Sequence, residues 1–130
     1  MPANDARRAL KRLLANGRLT SLPKRPADQA LLVTLAAAQL DAHRSCVESE
    51  VNERLRAWLE TVSEPFGIDH VTLRRMLVDS GFLKRTHSGS AYKVNADKAA
   101  QLEAVRGLDP AEVLAQVREE RDLRKRGRAP

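Results

Sequence analysis

Cysteine and aromatic residues are scarce in this sequence of 130 residues. A single cysteine, Cys46, excludes an internal disulfide and suits a reducing compartment. Aromatic residues make up only 3% of the chain, so leucine, valine and alanine carry most of its 42% hydrophobic content. No apolar run approaches the roughly 20 residues of a membrane span, and arginines interrupt the stretch where a secretory signal would lie. We therefore expect a cytoplasmic protein without membrane contact, made mainly of helices.

The sequence also lacks motifs for catalysis, cofactor binding and metal binding. The histidines His43, His70 and His87 are scattered and form no His-x-x-x-His pair, and Cys46 has no second cysteine near it. There is no glycine-rich phosphate loop, nucleophile elbow or cluster of paired carboxylates. We expect no enzyme activity, no cofactor and no metal, with Cys46 acting as a small buried hydrophobic residue.

Positive charge is in excess and concentrates at the two ends of the chain. Lys and Arg number 23 against 17 Asp and Glu, a net charge of +6. Such a balance attracts polyanions without choosing among DNA, RNA, anionic lipid and an acidic protein. The strongest basic cluster comprises Arg7, Arg8, Lys11, Arg12, Arg18, Lys24 and Arg25. Four more basic residues close the chain, namely Arg124, Lys125, Arg126 and Arg128. Each group either contacts a polyanion or merely coats a solvated helix.

Hydrophobic periodicity and chain breakers predict the following elements in the first half. An amphipathic helix covers 5–16 and ends at Gly17, and a short strand is expected over 18–22 before two prolines. A second helix follows over 27–40, and 45–47 can add one short strand. A clearer helix then carries its apolar stripe on Val51, Leu55, Trp58, Leu59 and Val62.

The second half contains capping signals and a hairpin pattern. Asp69 is a natural N-cap for a helix that Gly81 ends. The extended runs 82–86 and 91–94 then flank a polar tip at 87–90, which predicts a β-hairpin. Asn95 caps a short helix, and Asp109 with Pro110 begins the last one.

Three helices followed by a two-stranded hairpin is the element order of a winged helix-turn-helix. The predicted fold is mainly α with a small β-hairpin, a winged helix with helical extensions at both ends. We divide the chain into a basic helix with a short extended segment at 1–26, the winged helix at 27–95 and a helical extension with a basic tail at 96–130. Other packings of three helices and a hairpin remain possible.

Several runs in this region resemble a bacterial family of domains of unknown function. They are ESEVN at 48–52, DHVTLRRMLVDSGFLKR at 69–85 and GSAY at 89–92, with the lead-in residues 17–19 and 22–23 also similar. The resemblance covers roughly residues 7–95 and implies a winged helix, found alone or behind a DNA-binding domain of the arsenical-repressor type. It implies no catalytic or ligand residues. Val47 departs from the threonine that members often carry there, which leaves the start of the helix at 48 open.

The helix after Asp69 carries the first candidate contacts. With Leu73, Met76 and Leu77 facing inward, Thr72 and Arg75 lie on the opposite side, in reach of a phosphate or a guanine edge. The alternative is that Arg74 or Arg75 pairs with a neighbouring carboxylate such as Asp79 and only organises the bundle. Because the charges of this helix cancel and it has no Asn or Gln, sequence-specific readout by this helix alone is not expected.

The hairpin and the N-terminal helix supply the other candidates. Lys84, Arg85 and Lys93 flank the tip and are expected to reach phosphates with a weak, salt-sensitive grip, unless the hairpin is merely solvated. Tyr92 is interpreted as a core anchor. In the N-terminal helix, the candidate contacts are Arg7, Arg8, Lys11 and Arg12.

Two hypotheses of function follow. The first is a DNA-binding protein, plausibly a transcription regulator, that acts as a homodimer through the C-terminal helix with Val113, Leu114 and Val117. The second is a non-catalytic protein-interaction or effector module that kept the scaffold and does not bind DNA. The near-neutral helix after Asp69 favours the second, and a fold alone decides neither.

Overall fold

The computed structural model describes residues 3–86, 88 and 90–127, of which most are helical. The α-helices among them are α1 Ala3–Leu13, α2 Pro26–Ala37, α3 Glu48–Val62, α4 His70–Asp79, α5 Ala99–Ala104 and α6 Pro110–Gly127. The strands are β1 Cys46–Val47, β2 Leu83–Arg85 and β3 Ala91–Val94, and a 3₁₀ turn, Ala96–Lys98, leads into α5. The expected class, mainly helical with a small β-hairpin, is confirmed.

The strands form one antiparallel sheet in the order β1-β3-β2. The hairpin predicted at 82–94 is present as β2 and β3, and the short strand expected at 45–47 is present as β1. Leu83 lies opposite Val94, and Cys46 lies opposite Tyr92. Directly opposed residues project from the same face of a sheet, and these four side chains are buried. One face of the sheet therefore closes the core.

Helix α4 begins and ends as its sequence predicts. The Asp69 carboxylate accepts a hydrogen bond from the backbone N–H of Val71 at 2.8 Å, which satisfies a free donor of the first turn. At the other end Gly81 has a φ of +84°, a left-handed conformation that L side chains rarely adopt. The chain therefore turns at once from α4 into β2, and α4 also packs against α3 and α2.

The core is aliphatic, as the low aromatic content requires. Its largest fully buried side chains are Leu10, Leu14, Leu32, Leu35, Leu55, Leu73, Leu77, Val51, Val62 and Val113. They form one continuous cluster to which both terminal helices contribute. At about 25 cal/mol per Å² of buried apolar surface, each such leucine contributes roughly 2 kcal/mol to folding.

The C-terminal helix packs inward along its apolar side. Helix α6 contacts α1 and α3, and Val113 and Val117 are buried between them. The expectation that these two valines form a dimer surface is therefore wrong, because this chain's own core already covers them. Leu114, the third residue of that expected surface, is partly buried against the same core. Dimerisation itself stays a prediction.

Local boundaries differ from the sequence expectation at three places, and the structure also gives the start of α3, which the sequence left open. Helix α1 spans Ala3–Leu13 instead of residues 5–16. The strand expected over 18–22 is reduced to one parallel bridge between Leu19 and Ser63, because Ser63 ends α3 and offers no further extended partner. Helix α2 ends at Ala37 rather than at residue 40, and residues 38–40 form hydrogen-bonded turns instead. Helix α3 begins at Glu48 without a side-chain cap, since Val47 at the capping position has no acceptor.

Candidate nucleic-acid interface

Two lysines face each other across the outer side of the hairpin. Lys84 on β2 and Lys93 on β3 are direct antiparallel partners, so their side chains project from the same face. Both are exposed, and neither forms an ion pair with any residue in the described ranges. Like charges directly opposite each other destabilise a strand pair. This lysine pair is therefore a concentrated positive charge without an internal counterion.

The third basic residue of the hairpin lies on the other face. Arg85 is the direct partner of Tyr92, and its guanidinium carbon lies 5.7 Å from the centre of the tyrosine ring. Tyr92 is buried, as expected of a core anchor, and its hydroxyl donates a hydrogen bond to Glu48 at 3.2 Å. The three cations that the sequence groups together therefore lie on two faces of the sheet, with Lys84 and Lys93 on one and Arg85 on the other. At the hairpin tip, His87 and Gly89 lie outside the described residues.

Helix α4 separates its two arginines into different roles. The Arg74 side chain is only 16% exposed, and its guanidinium lies 3.3 Å from the Glu48 carboxylate and donates a hydrogen bond to Asn52. The interpretation of Arg74 as a residue that organises the bundle is confirmed, and its carboxylate partner lies on α3. Thr72 and Arg75 are exposed on the side away from the core. Arg75 forms no ion pair with any described residue, including Asp79.

The basic residues of α1 are divided in the same way. Arg7 donates a hydrogen bond to Gln116 at 2.7 Å, and Lys11 donates one to Glu120 at 2.8 Å. The Lys11 ammonium holds the pKa of the Glu120 carboxyl below its ordinary value. These contacts attach α1 to α6, so Arg7 and Lys11 already have partners within the chain.

The other two candidate residues of α1 are exposed. Arg8 and Arg12 line an open groove of about 650 Å³ between α1 and α6, together with Arg124 from the basic end of α6. The N-terminal and C-terminal basic groups, separate in the sequence, therefore come together here. The groove also carries the carboxylates of Asp5 and Glu120, which offset part of this positive charge. Unlike the lysine pair, this groove therefore mixes charges of both signs.

A polar cluster beside β1 carries the largest pKa shift among the described residues. Arg44 donates a hydrogen bond to Glu50 at 2.6 Å, and Arg44 and Asp41 are 3.2 Å apart. Arg44 and, next, the Cys46 thiol hold the pKa of the Glu50 carboxyl at about 2. Burial is the main cause that raises the pKa of Cys46, as expected for a buried hydrophobic residue rather than a reactive thiol. The cluster fixes the loop before α3.

The side chain of Phe66, a residue that the sequence patterns did not single out, is fully exposed. It lies in the loop between α3 and α4 with a φ of +65°, in the left-handed region, where bulky side chains are rarely found. A rare aromatic residue between Pro65 and Gly67, at a break between two helices, was the available signal. The residue marks a surface separate from the lysine pair's own.

The described part of the chain contains neither a metal-binding cluster nor a membrane-spanning helix. There, no three His, Cys, Asp or Glu residues come together as a metal site requires. No helix within the described ranges has both the length and the apolar character needed to cross a bilayer.

Comparisons with known proteins identify a family. The model of a family described as an uncharacterized protein conserved in bacteria, DUF2087, matches residues 18–94. This range contains α2, α3, α4 and the whole sheet, and it lies within the residues 7–95 that carried the resemblance. No curated protein and no solved structure matches the chain. Because the match spans more than half of the 130 residues, the protein belongs to this bacterial DUF2087 family.

Proposed function

We propose that this protein binds nucleic acid, most naturally duplex DNA, through the outer face of its hairpin and the exposed side of α4. In this proposal residues 26–94 form a winged helix-turn-helix in which α4 is the recognition helix and β2–β3 the wing. Support comes from the element order α2-β1-α3-α4-β2-β3 and from the pairing of β1 with the hairpin. The immediate turn at Gly81 holds the wing beside α4.

The observation that carries the proposal is the unpartnered pair Lys84 and Lys93. Two ammonium groups on directly opposed strand residues repel each other in the free protein. A phosphate placed between them would convert this repulsion into two charge-assisted contacts. Exposed lysines that have no ion-pair partner among the described residues can also replace counterions on the DNA phosphates. The hairpin thus favours a polyanion over water on this face.

On this proposal α4 contributes contacts without a strong sequence preference. Thr72 and Arg75 are exposed and suit phosphate contacts. Arg74 is withdrawn into its contacts with Glu48 and Asn52, which leaves Arg75 as the free arginine of this helix. Because α4 contains no Asn or Gln that could address adenine, binding depends on the phosphate backbone more than on base edges. A role in transcription would then rest on this salt-sensitive binding.

One observation favours the second function, a protein-interaction module. The exposed carboxylate of Asp79 would repel DNA phosphates at the C-terminal end of α4. Basic side chains on a partner protein would instead pair with the Asp79 carboxylate. This candidate predicts that the scaffold is folded and monodisperse but does not bind duplex DNA.

The test is a fluorescence-anisotropy titration of labelled random-sequence duplex DNA with the purified chain. We expect binding at micromolar protein in low salt that weakens as salt is raised. Lys84→Ala with Lys93→Ala should reduce the affinity markedly. Arg118→Ala with Arg121→Ala is the matched control, since it removes two exposed cations of α6 that form no ion pair with the described residues, and it should bind like the parent chain. The absence of salt-dependent binding at micromolar concentration would reject DNA binding and favour the interaction module.

A further inference from the structure

The α3–α4 loop projects a phenyl ring into solvent from a tightly hydrogen-bonded turn. The Phe66 side chain is fully exposed, whereas Ser63 and Ile68 nearby are buried. Ser63 accepts a hydrogen bond through its hydroxyl from the Ile68 N–H at 3.1 Å. The Leu19 carbonyl accepts another from the Glu64 N–H at 2.8 Å. The loop is therefore fixed on both sides, and the exposure of Phe66 is a property of this fixed turn.

The Phe66 ring itself forms one wall of an apolar groove. The groove has a volume of about 740 Å³ and is open to solvent, with Leu59, Pro65 and Ile68 among its apolar lining residues. A projecting ring next to a groove that could hold such a ring gives one surface both halves of a contact. Two copies related by a twofold axis would each insert their own Phe66 into the groove of the other.

The charges around the groove have the same self-complementary character. Arg18 is paired with Glu64 at 2.9 Å, and the Asp69 carboxylate accepts the capping hydrogen bond from the Val71 N–H at 2.8 Å, so these groups have partners within the chain. That leaves Arg56 and Glu60 on α3. Both are exposed and, within the ranges that the structure describes, neither side chain has an ion-pair partner.

An unpaired cation and an unpaired anion at one rim suit a second copy better than a polyanion. Nucleic acid would be attracted by Arg56 but repelled by Glu60. In an antiparallel pairing about a twofold axis, Arg56 of each copy would meet Glu60 of the other. We infer that the protein forms a twofold homodimer in which Phe66 of each copy enters the groove between Leu59 and Ile68 of its partner. This contact replaces the dimer surface expected on α6, whose valines are buried in the chain's own core. It is independent of the proposed DNA binding.

The test is sedimentation equilibrium of the full chain without DNA, across micromolar concentrations. The wild-type mass should rise from the 14.4 kDa of the monomer toward twice that value. Phe66→Asn should self-associate at least about 30-fold more weakly, as expected for an aromatic residue at the centre of an interface. Asparagine tolerates the left-handed conformation, so this variant should keep its far-UV circular dichroism and its fold.

Charge exchange separates a second copy from any other occupant. Arg56→Glu alone and Glu60→Arg alone should each weaken self-association, because each places like charges across the contact. The double variant that exchanges the two charges should restore it, which only pairing between identical chains can do. Leu123→Ala, at another large exposed apolar residue, should dimerise like the wild type.

Three results would overturn the inference. They are a wild-type chain that stays monomeric throughout, a Phe66→Asn chain that dimerises as well as the wild type, and a charge-exchanged double variant that stays monomeric. Loss of DNA affinity in a Phe66→Asn chain, with the wild type monomeric, would instead assign the ring to the DNA contact. Because mass is measured without DNA, the Lys84→Ala and Lys93→Ala chain should dimerise normally even if DNA binding fails.

Discussion

The salt dependence of DNA binding is the most informative property that the lysine pair predicts. Each phosphate neutralised by a cation contributes about 0.9 to the slope of log affinity against log salt on duplex DNA. The free cations of the proposed interface are Arg75, Lys84 and Lys93, which gives a slope of about −2.7 for three contacts. A fourfold rise in salt, from about 50 to about 200 mM, should therefore weaken binding about 40-fold.

Replacement of the two lysines changes that slope by a predictable amount. With Lys84→Ala and Lys93→Ala, one contact remains, and the same rise in salt should weaken binding only about 3.5-fold. The measurement is anisotropy of one labelled duplex at four or more salt concentrations, with the slope fitted for each chain. The Arg118→Ala and Arg121→Ala control should keep the parent slope, because both residues lie outside the proposed interface.

Three outcomes would refute this reasoning. A double lysine variant with the parent slope would show that the hairpin face is not on the DNA, and attention would move to Arg8, Arg12 and Arg124. A slope reduced equally in the control chain would show that net charge, rather than the position of the lysines, governs binding. A slope near zero in the parent chain would show that binding involves no contacts with phosphates.

Three further predictions concern stability, measured by urea unfolding. Gly67→Ala should destabilise the fold by about 1–3 kcal/mol, because an added Cβ would lie 2.6 Å from the Ser63 hydroxyl oxygen. Arg74→Ala should cost about 1.5–3 kcal/mol, since it removes the ion pair with the Glu48 carboxylate and the hydrogen bond that Arg74 donates to Asn52. Because the folded pKa of Glu50 is about 2, below its ordinary 4.5, its contribution is full above pH 4.5 and is lost as pH falls toward 2; Glu50→Gln should remove this part of the acid sensitivity.

Two of these predictions have a matched control variant, and the third has an outcome that would contradict it. Gly127→Ala meets nothing within 4 Å and should not destabilise the chain, so an equal loss at both glycines would reject the packing argument. Arg75→Ala should change stability by less than about 0.5 kcal/mol, as surface substitutions do. If it costs as much as Arg74→Ala, the division of roles on α4 is wrong. An unchanged acid-unfolding curve in Glu50→Gln would show that the contact between Arg44 and Glu50 does not contribute to the acid sensitivity of the fold.

The sequence was sufficient wherever the controlling interaction is local. The cap at Asp69, the turn at Gly81 and the antiparallel hairpin all involve residues close in the chain, so spacing and residue type predicted them. The buried stripes of α3 and α4 followed from helical periodicity for the same reason. Even the structural role of Arg74 was foreseen in kind, although its carboxylate partner, Glu48, lies 26 positions away.

What the sequence could not determine depends on which side chains meet across distance. The register of β2 against β3 places Lys84 opposite Lys93 and sends Arg85 to the other face, and a shift by one residue would reverse this. The packing of α6 on α1 and α3 buries Val113 and Val117 and occupies Arg7 and Lys11, because an apolar helix face is covered by whichever surface the fold brings to it. The exposure of Phe66 was likewise set by tertiary contacts that hold its loop, and no local pattern encodes them.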